Sequence, residues 1–264
     1  MCQYQFFAFF STAQAPCAAR TIASIFANGA SLGMSCQSVE LPARMRYHTG
    51  MGKNRWTSIL VALVGSAILV VLFRYNQTYH GYEEYLVTNV SALFWLPMVM
   101  IFLVFREDPS AFGFGVGDAR TGYRLAGILF ALLLPILIIA SRMQVFQEYY
   151  PLQKQAARDL AFFGYFELTY GMYLFCWEFF FRGFLLFGLA RVIGSWAILP
   201  QAIAFGIMHY GKPGPEMAVS FAAGIILGVL ALRSRSFAPC FVLHWAAAVT
   251  MDVLVILAKR GMLF

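Results

Sequence analysis

The stretch LAFFGYFELTYGMYLFCWEFFFRGFLLFGLARV, residues 160–192, decides the fold class. It is apolar almost throughout, and its only charged residues are Glu167, Glu178, Arg182 and Arg191. About 20 apolar residues in a helix cross the hydrocarbon core of a bilayer. This run exceeds that length, so it reads as one long tilted helix or as two pieces broken near Gly171. Either way the fold is all-α and the solvent for much of the chain is lipid.

The rest of the sequence agrees. The 264 residues are 61% hydrophobic and 12% charged, with a mean hydropathy of +0.70. A soluble domain carries roughly 25% charged residues, so water cannot be what this surface faces. Further apolar runs cover Trp56–Phe73, Leu86–Phe105, Leu125–Ala140, Trp196–His209, Met217–Leu232 and Phe237–Leu257. With 160–192 they predict a polytopic transmembrane bundle of about seven spanning helices over residues 51–264. Residues 1–50, rich in Ala and Ser, are expected to be a poorly ordered extension or an over-long start, translation then beginning at Met45 or Met51.

The formal net charge is +7. The basic residues fall in short stretches between apolar runs, which suits lipid headgroups and topology control. No basic patch interleaved with aromatics appears, and nucleic acid is excluded as a partner. Arg44, Arg46, Lys53, Arg55, Arg106, Arg120, Arg124, Arg191, Arg233 and Arg235 fall on the side of the N-terminus. Arg74, Arg142, Lys154, Arg158, Lys212, Lys259 and Arg260 fall on the other. The bias places the N-terminus in the cytoplasm, and the expected location is a bacterial inner or plasma membrane. The five cysteines form no CxxC, so neither a disulfide framework nor a structural zinc site is indicated.

Chemistry is expected where charge sits inside apolar helices, because a charge at the bilayer centre costs about 2.5–3.5 kcal/mol. Such residues are confined to the C-terminal half: Glu167, Glu178, Arg182, His209, His244 and Asp252. Glu178 and Arg182 are spaced i, i+4 and can pair on one helix face. Glu167 lies three turns before Glu178, near the same face, and reads best as a buried structural partner. Two of the chain's four histidines, His209 and His244, occupy separate apolar helices. A glutamate with two histidines suits general-base activation of water, and the same set suits a metal with an open position. The spacing does not choose between them. Glu216 either lines the mouth of such a site or is a carboxylate favoured by a helix N-terminus.

These residues also carry a resemblance. Trp177-Glu-Phe-Phe-Phe-Arg-Gly-Phe-Leu-Leu, Phe205-Gly-Ile-Met-His209 and His244 resemble, in order, the EExxxR, FxxxH and HxxxN motifs of the CPBP (Abi) intramembrane endopeptidases. That family includes the type II CAAX prenyl proteases and bacteriocin-processing or immunity proteins, and the resemblance covers about residues 105–257. It implies hydrolysis of a peptide bond in a membrane-associated peptide or protein by glutamate-activated water. It names Glu178, Arg182, His209 and His244 as catalytic, with Asp252, Glu167 and Glu216 in support. It calls for no metal and no other cofactor. Trp177 stands at the first Glu and Ala248 at the Asn. Two further readings therefore stay open: a non-catalytic binding or immunity protein on the same fold, and a transporter using the buried polar groups as an ion path.

Overall fold

The computed structural model describes residues 51–78 and 81–262. The readings made of residues 1–50 lie outside these described residues. The described chain is a polytopic transmembrane helical bundle. Its long helices are α1 (Met51–Tyr75), α2 (Tyr82–Phe105), α3 (Ala119–Ala140), α5 (160–193), α7 (Gly214–Ser234) and α8 (Ala238–Lys259). A short α4 (Gln144–Tyr149) lies between α3 and α5, and α6 (Ile198–Ile207) lies between α5 and α7. Among the described residues six segments are long and apolar enough to cross a membrane, residues 160–207 counting as one of 48 residues. Within it, α6 has only ten residues, about 15 Å of helix at 1.5 Å per residue. The expected count of about seven is therefore six long segments and one half-length helix.

Outward faces are apolar. Leu63, Val70 and Leu103 are each more than 60% exposed, and lipid is the partner that such patches fit on this many helices. Inside, helices approach closely where small residues allow it. α6 and α7 form an antiparallel hairpin in which a Cβ on Gly224 would come within 2.9 Å of Ala202 Cα. α5 and α8 are also antiparallel: Phe175 packs against Phe241 at 5.4 Å between ring centres, and Gly171 faces the Trp245 indole. A Cβ at Gly171 would lie 2.7 Å from that ring. Gly171 is thus a packing residue inside an unbroken α5. The helix stops instead at Gly194, whose positive φ of 58° leads into a short 3₁₀ turn.

One end of the bundle is tied by ions. Glu107, after α2, meets Arg191 of α5 at 2.6 Å and Lys53 of α1 at 3.6 Å. At the same end the loop before α3 is stitched to the α7–α8 turn. Asp118 N–H donates to Ser234 C=O at 2.7 Å, Phe237 N–H to Gly113 C=O at 3.3 Å, and Ser236 Oγ–H to Gly115 C=O. These bonds fix where α8 starts, and so where His244 stands two turns later. At the opposite end, Lys259 Nζ donates to Tyr150 C=O at 3.1 Å and Arg260 Nη2 to Ala157 C=O at 2.8 Å.

Candidate active site

α5 carries the site's centre, and it changes pitch there. After Glu178 the helix widens into a π-helical segment, Phe179–Leu185, before resuming at Leu186. Such widenings are frequent at functional sites. Phe179, Phe180, Phe181 and Phe184 are all fully buried, so the aromatic run is core packing on every side of the helix. In the middle of it Glu178 and Arg182 are both fully buried. The Arg182 Nη1 group lies 3.3 Å from both carboxylate oxygens. The guanidinium rests on the Phe205 ring, with Cζ 3.9 Å from the ring centre. That cation–π contact stabilises a charge that has no water around it.

The second partner of Glu178 comes from α8. His244 Nδ1 lies 2.6 Å from Glu178 Oε1. A carboxylate only accepts, so Nδ1 carries the hydrogen and Nε2 of the neutral ring keeps its lone pair. The His244 side chain is 19% exposed while that of Glu178 is at 0%, which puts the imidazole on the open side of the pair. His209, at the end of α6, has its Nδ1 2.7 Å from Phe205 C=O. The carbonyl likewise assigns the hydrogen to Nδ1 and leaves Nε2 as an acceptor. The Phe205 ring lies 4.4 Å from that of His209 and 6.0 Å from those of His244 and Trp177. One phenyl ring therefore packs beside Arg182, His209, His244 and Trp177.

Glu178, Arg182, His209 and His244 are thus brought together. The three supporting residues are not part of that group. Glu167 and Asp252 face each other across α5 and α8. They lie about 12 Å further along α8 than His244, eight residues at 1.5 Å each. The two buried carboxyl groups share a side-chain hydrogen bond. Trp245 Nε1–H donates to Glu167 C=O at 3.1 Å and pins the same seam. Glu216 belongs to a third cluster. Lys212 Nζ meets its Oε1 at 2.7 Å, and Tyr150 O–H donates to its Oε2 at 2.7 Å. Burial pulls the Lys212 ammonium down, but Glu216 beside it carries its pKa well above the ordinary lysine value. Sequence reasoning missed Tyr150, which has no motif around it. Phe205 was signalled, since it opens Phe205-Gly-Ile-Met-His209.

Residues 161–250 match a family model described as Rce1-like, type II CAAX prenyl endopeptidase Rce1-like. Neither the curated proteins nor the solved structures gave a match. The matched span contains Glu178, Arg182, His209 and His244, along with Trp177 and Ala248, and ends before Asp252. It lies within the 105–257 of the motif resemblance, and this segment of the chain is similar to the type II CAAX prenyl endopeptidase family.

Proposed function

We propose that the chain is an intramembrane endopeptidase that hydrolyses a peptide bond of a membrane-associated peptide or protein. The observation that carries the reading is the 2.6 Å contact between Glu178 Oε1 and His244 Nδ1 in the bundle core, braced by Arg182. The sequence reading gave the water's proton to Glu178. In the fold that carboxylate is covered by His244, and the two act as one base. His244 Nε2 takes a proton from water, and the hydroxide oxygen attacks the scissile carbonyl carbon. Glu178 holds the imidazolium that forms, as an orienting carboxylate does behind a catalytic histidine. The same proton then passes to the departing amide nitrogen and the C–N bond breaks, leaving a carboxylic acid and an amine. His209 Nε2 accepts from the water and orients it, and the Arg182 guanidinium, 3.3 Å from the carboxylate, braces Glu178.

The reading is tested by comparing protein termini, by mass spectrometry, in membranes of cells expressing the wild type, Glu178→Gln or His244→Gln at matched abundance. New termini with the wild type and none with either variant are expected, and they identify the substrate. Identical termini in all three would end the peptidase reading. The observation that Trp177 and Ala248 occupy two of the family's polar positions would then favour a non-catalytic binding protein.

A further inference from the structure

Hydrolysis of an amide needs a donor for the carbonyl oxygen as well as a base for the water. The two imidazoles do not offer one in their neutral forms. Each uses its Nδ1–H on another partner, His244 on Glu178 and His209 on Phe205 C=O, and each presents a lone pair. Arg182 has N–H groups to spare at Nε and Nη2, but its Nη1 holds Glu178, the carboxylate behind the base. Trp177 remains. It immediately precedes Glu178 and is 4% exposed, and its ring packs 6.0 Å from that of His209. Its Nε1–H is buried with no acceptor among the described residues. Burying an indole N–H without an acceptor forfeits its hydrogen bond to water with nothing in return. The half-buried indole of Trp245 finds an acceptor, its Nε1–H reaching Glu167 C=O, and Trp56, Trp95 and Trp196 are exposed.

We propose that Trp177 is a catalytic residue: its indole N–H donates to the carbonyl oxygen of the scissile peptide and to the oxyanion that forms there. The proposal rests on the peptidase reading above. A fixed neutral donor in a buried site stabilises the negative charge that develops on the carbonyl oxygen. The acid found at this position in the family motif has given way to a group that can only donate.

The test uses the full chain in nanodiscs and a fluorophore–quencher peptide spanning the cleavage site returned by the terminal comparison. Wild type, Glu178→Gln, Trp177→Phe and Trp177→His are compared. Trp177→Phe keeps the aromatic packing and removes the donor; Trp177→His restores an N–H. Support is a loss of about 10²-fold in kcat for Trp177→Phe with KM within about twofold, an unchanged pH profile, and partial recovery in Trp177→His. If Glu178→Gln is inactive while Trp177→Phe keeps the wild-type kcat, at whatever melting temperature, the proposal is overturned and the peptidase reading stands. Absence of a cleavage site, or full activity in Glu178→Gln, overturns both.

Discussion

At the scale of single residues, a fully buried ion pair is held by geometry that one substitution can undo. Glu178 and Arg182 share one long contact on each oxygen, and His244 supplies the short one. Removing the cation leaves an uncompensated carboxylate in the core, a change that costs about 3–5 kcal/mol. Arg182→Met is therefore expected to lower the melting temperature of the protein in detergent strongly. Glu178→Gln/Arg182→Met together should recover much of that loss, because a pair replaced by neutral groups is often tolerated. A double variant no more stable than Arg182→Met would show that the guanidinium is needed mainly for its packing on Phe205. At this scale the sequence told a good deal. A charge in an apolar run is visible without coordinates, so Glu178, Arg182, His209 and His244 stood out. What each charge faces was not visible. Asp252 shares roughly a helix face with His244, but its partner Glu167 is supplied by α5, and the distance between seam and site depends on how two helices cross.

Elements were legible for a different reason. An apolar run long enough for a bilayer must be helical, since backbone groups in lipid have to be satisfied within the segment. The boundaries inside the long 160–207 stretch were less so, because glycine serves two ends. Gly171 makes room for Trp245, whereas Gly194 turns the chain. Only the neighbour distinguishes them. Gly171→Ala accordingly should leave α5 helical while pushing the Trp245 indole off Glu167 C=O, at about 1–3 kcal/mol for overpacking. Unchanged thermal stability and unchanged tryptophan emission would contradict this packing. The start of α3 gives a second case. Asp118 Oδ1 accepts from Thr121 N–H at 3.1 Å, and this backbone bond lowers the Asp118 pKa below the ordinary aspartate value. A carboxyl lowered by folding contributes fully above the unfolded pKa near 3.9 and loses that contribution as pH falls through the lower folded value. Melting at neutral pH should thus drop for Asp118→Ala and little for Asp118→Asn, which still accepts. The gap between wild type and Asp118→Ala should close only below about pH 4.

The whole molecule is organised by its two ends, and that organisation makes its orientation testable. Lys53, Glu107 and Arg191 are joined at one end, together with the loop before α3 and the α7–α8 turn. The loop after α1 and the segment between α4 and α5 lie at the other, the latter held by Lys259 and Arg260. The first end collects more arginine and lysine, and basic loops are retained on the cytoplasmic side. On the orientation expected from the sequence, Ser110 and Ser195 would face the cytoplasm and Gln77 and Gln155 the opposite side; all four are exposed. Cys176 and Cys240 are buried and unlabelled in this picture. Replacing Cys2, Cys17 and Cys36 by Ser then gives a background for single cysteines at the four positions. An impermeant maleimide should label the Gln77→Cys and Gln155→Cys variants in intact cells. It should label Ser110→Cys and Ser195→Cys only after the membrane is opened. The reversed pattern would invert the molecule and turn the Lys212–Glu216–Tyr150 cluster toward the cytoplasm. A pattern that splits Ser110 from Ser195 would mean that α3 and α5 do not cross in succession, and the seam that brings Glu178 to His244 could not form as described.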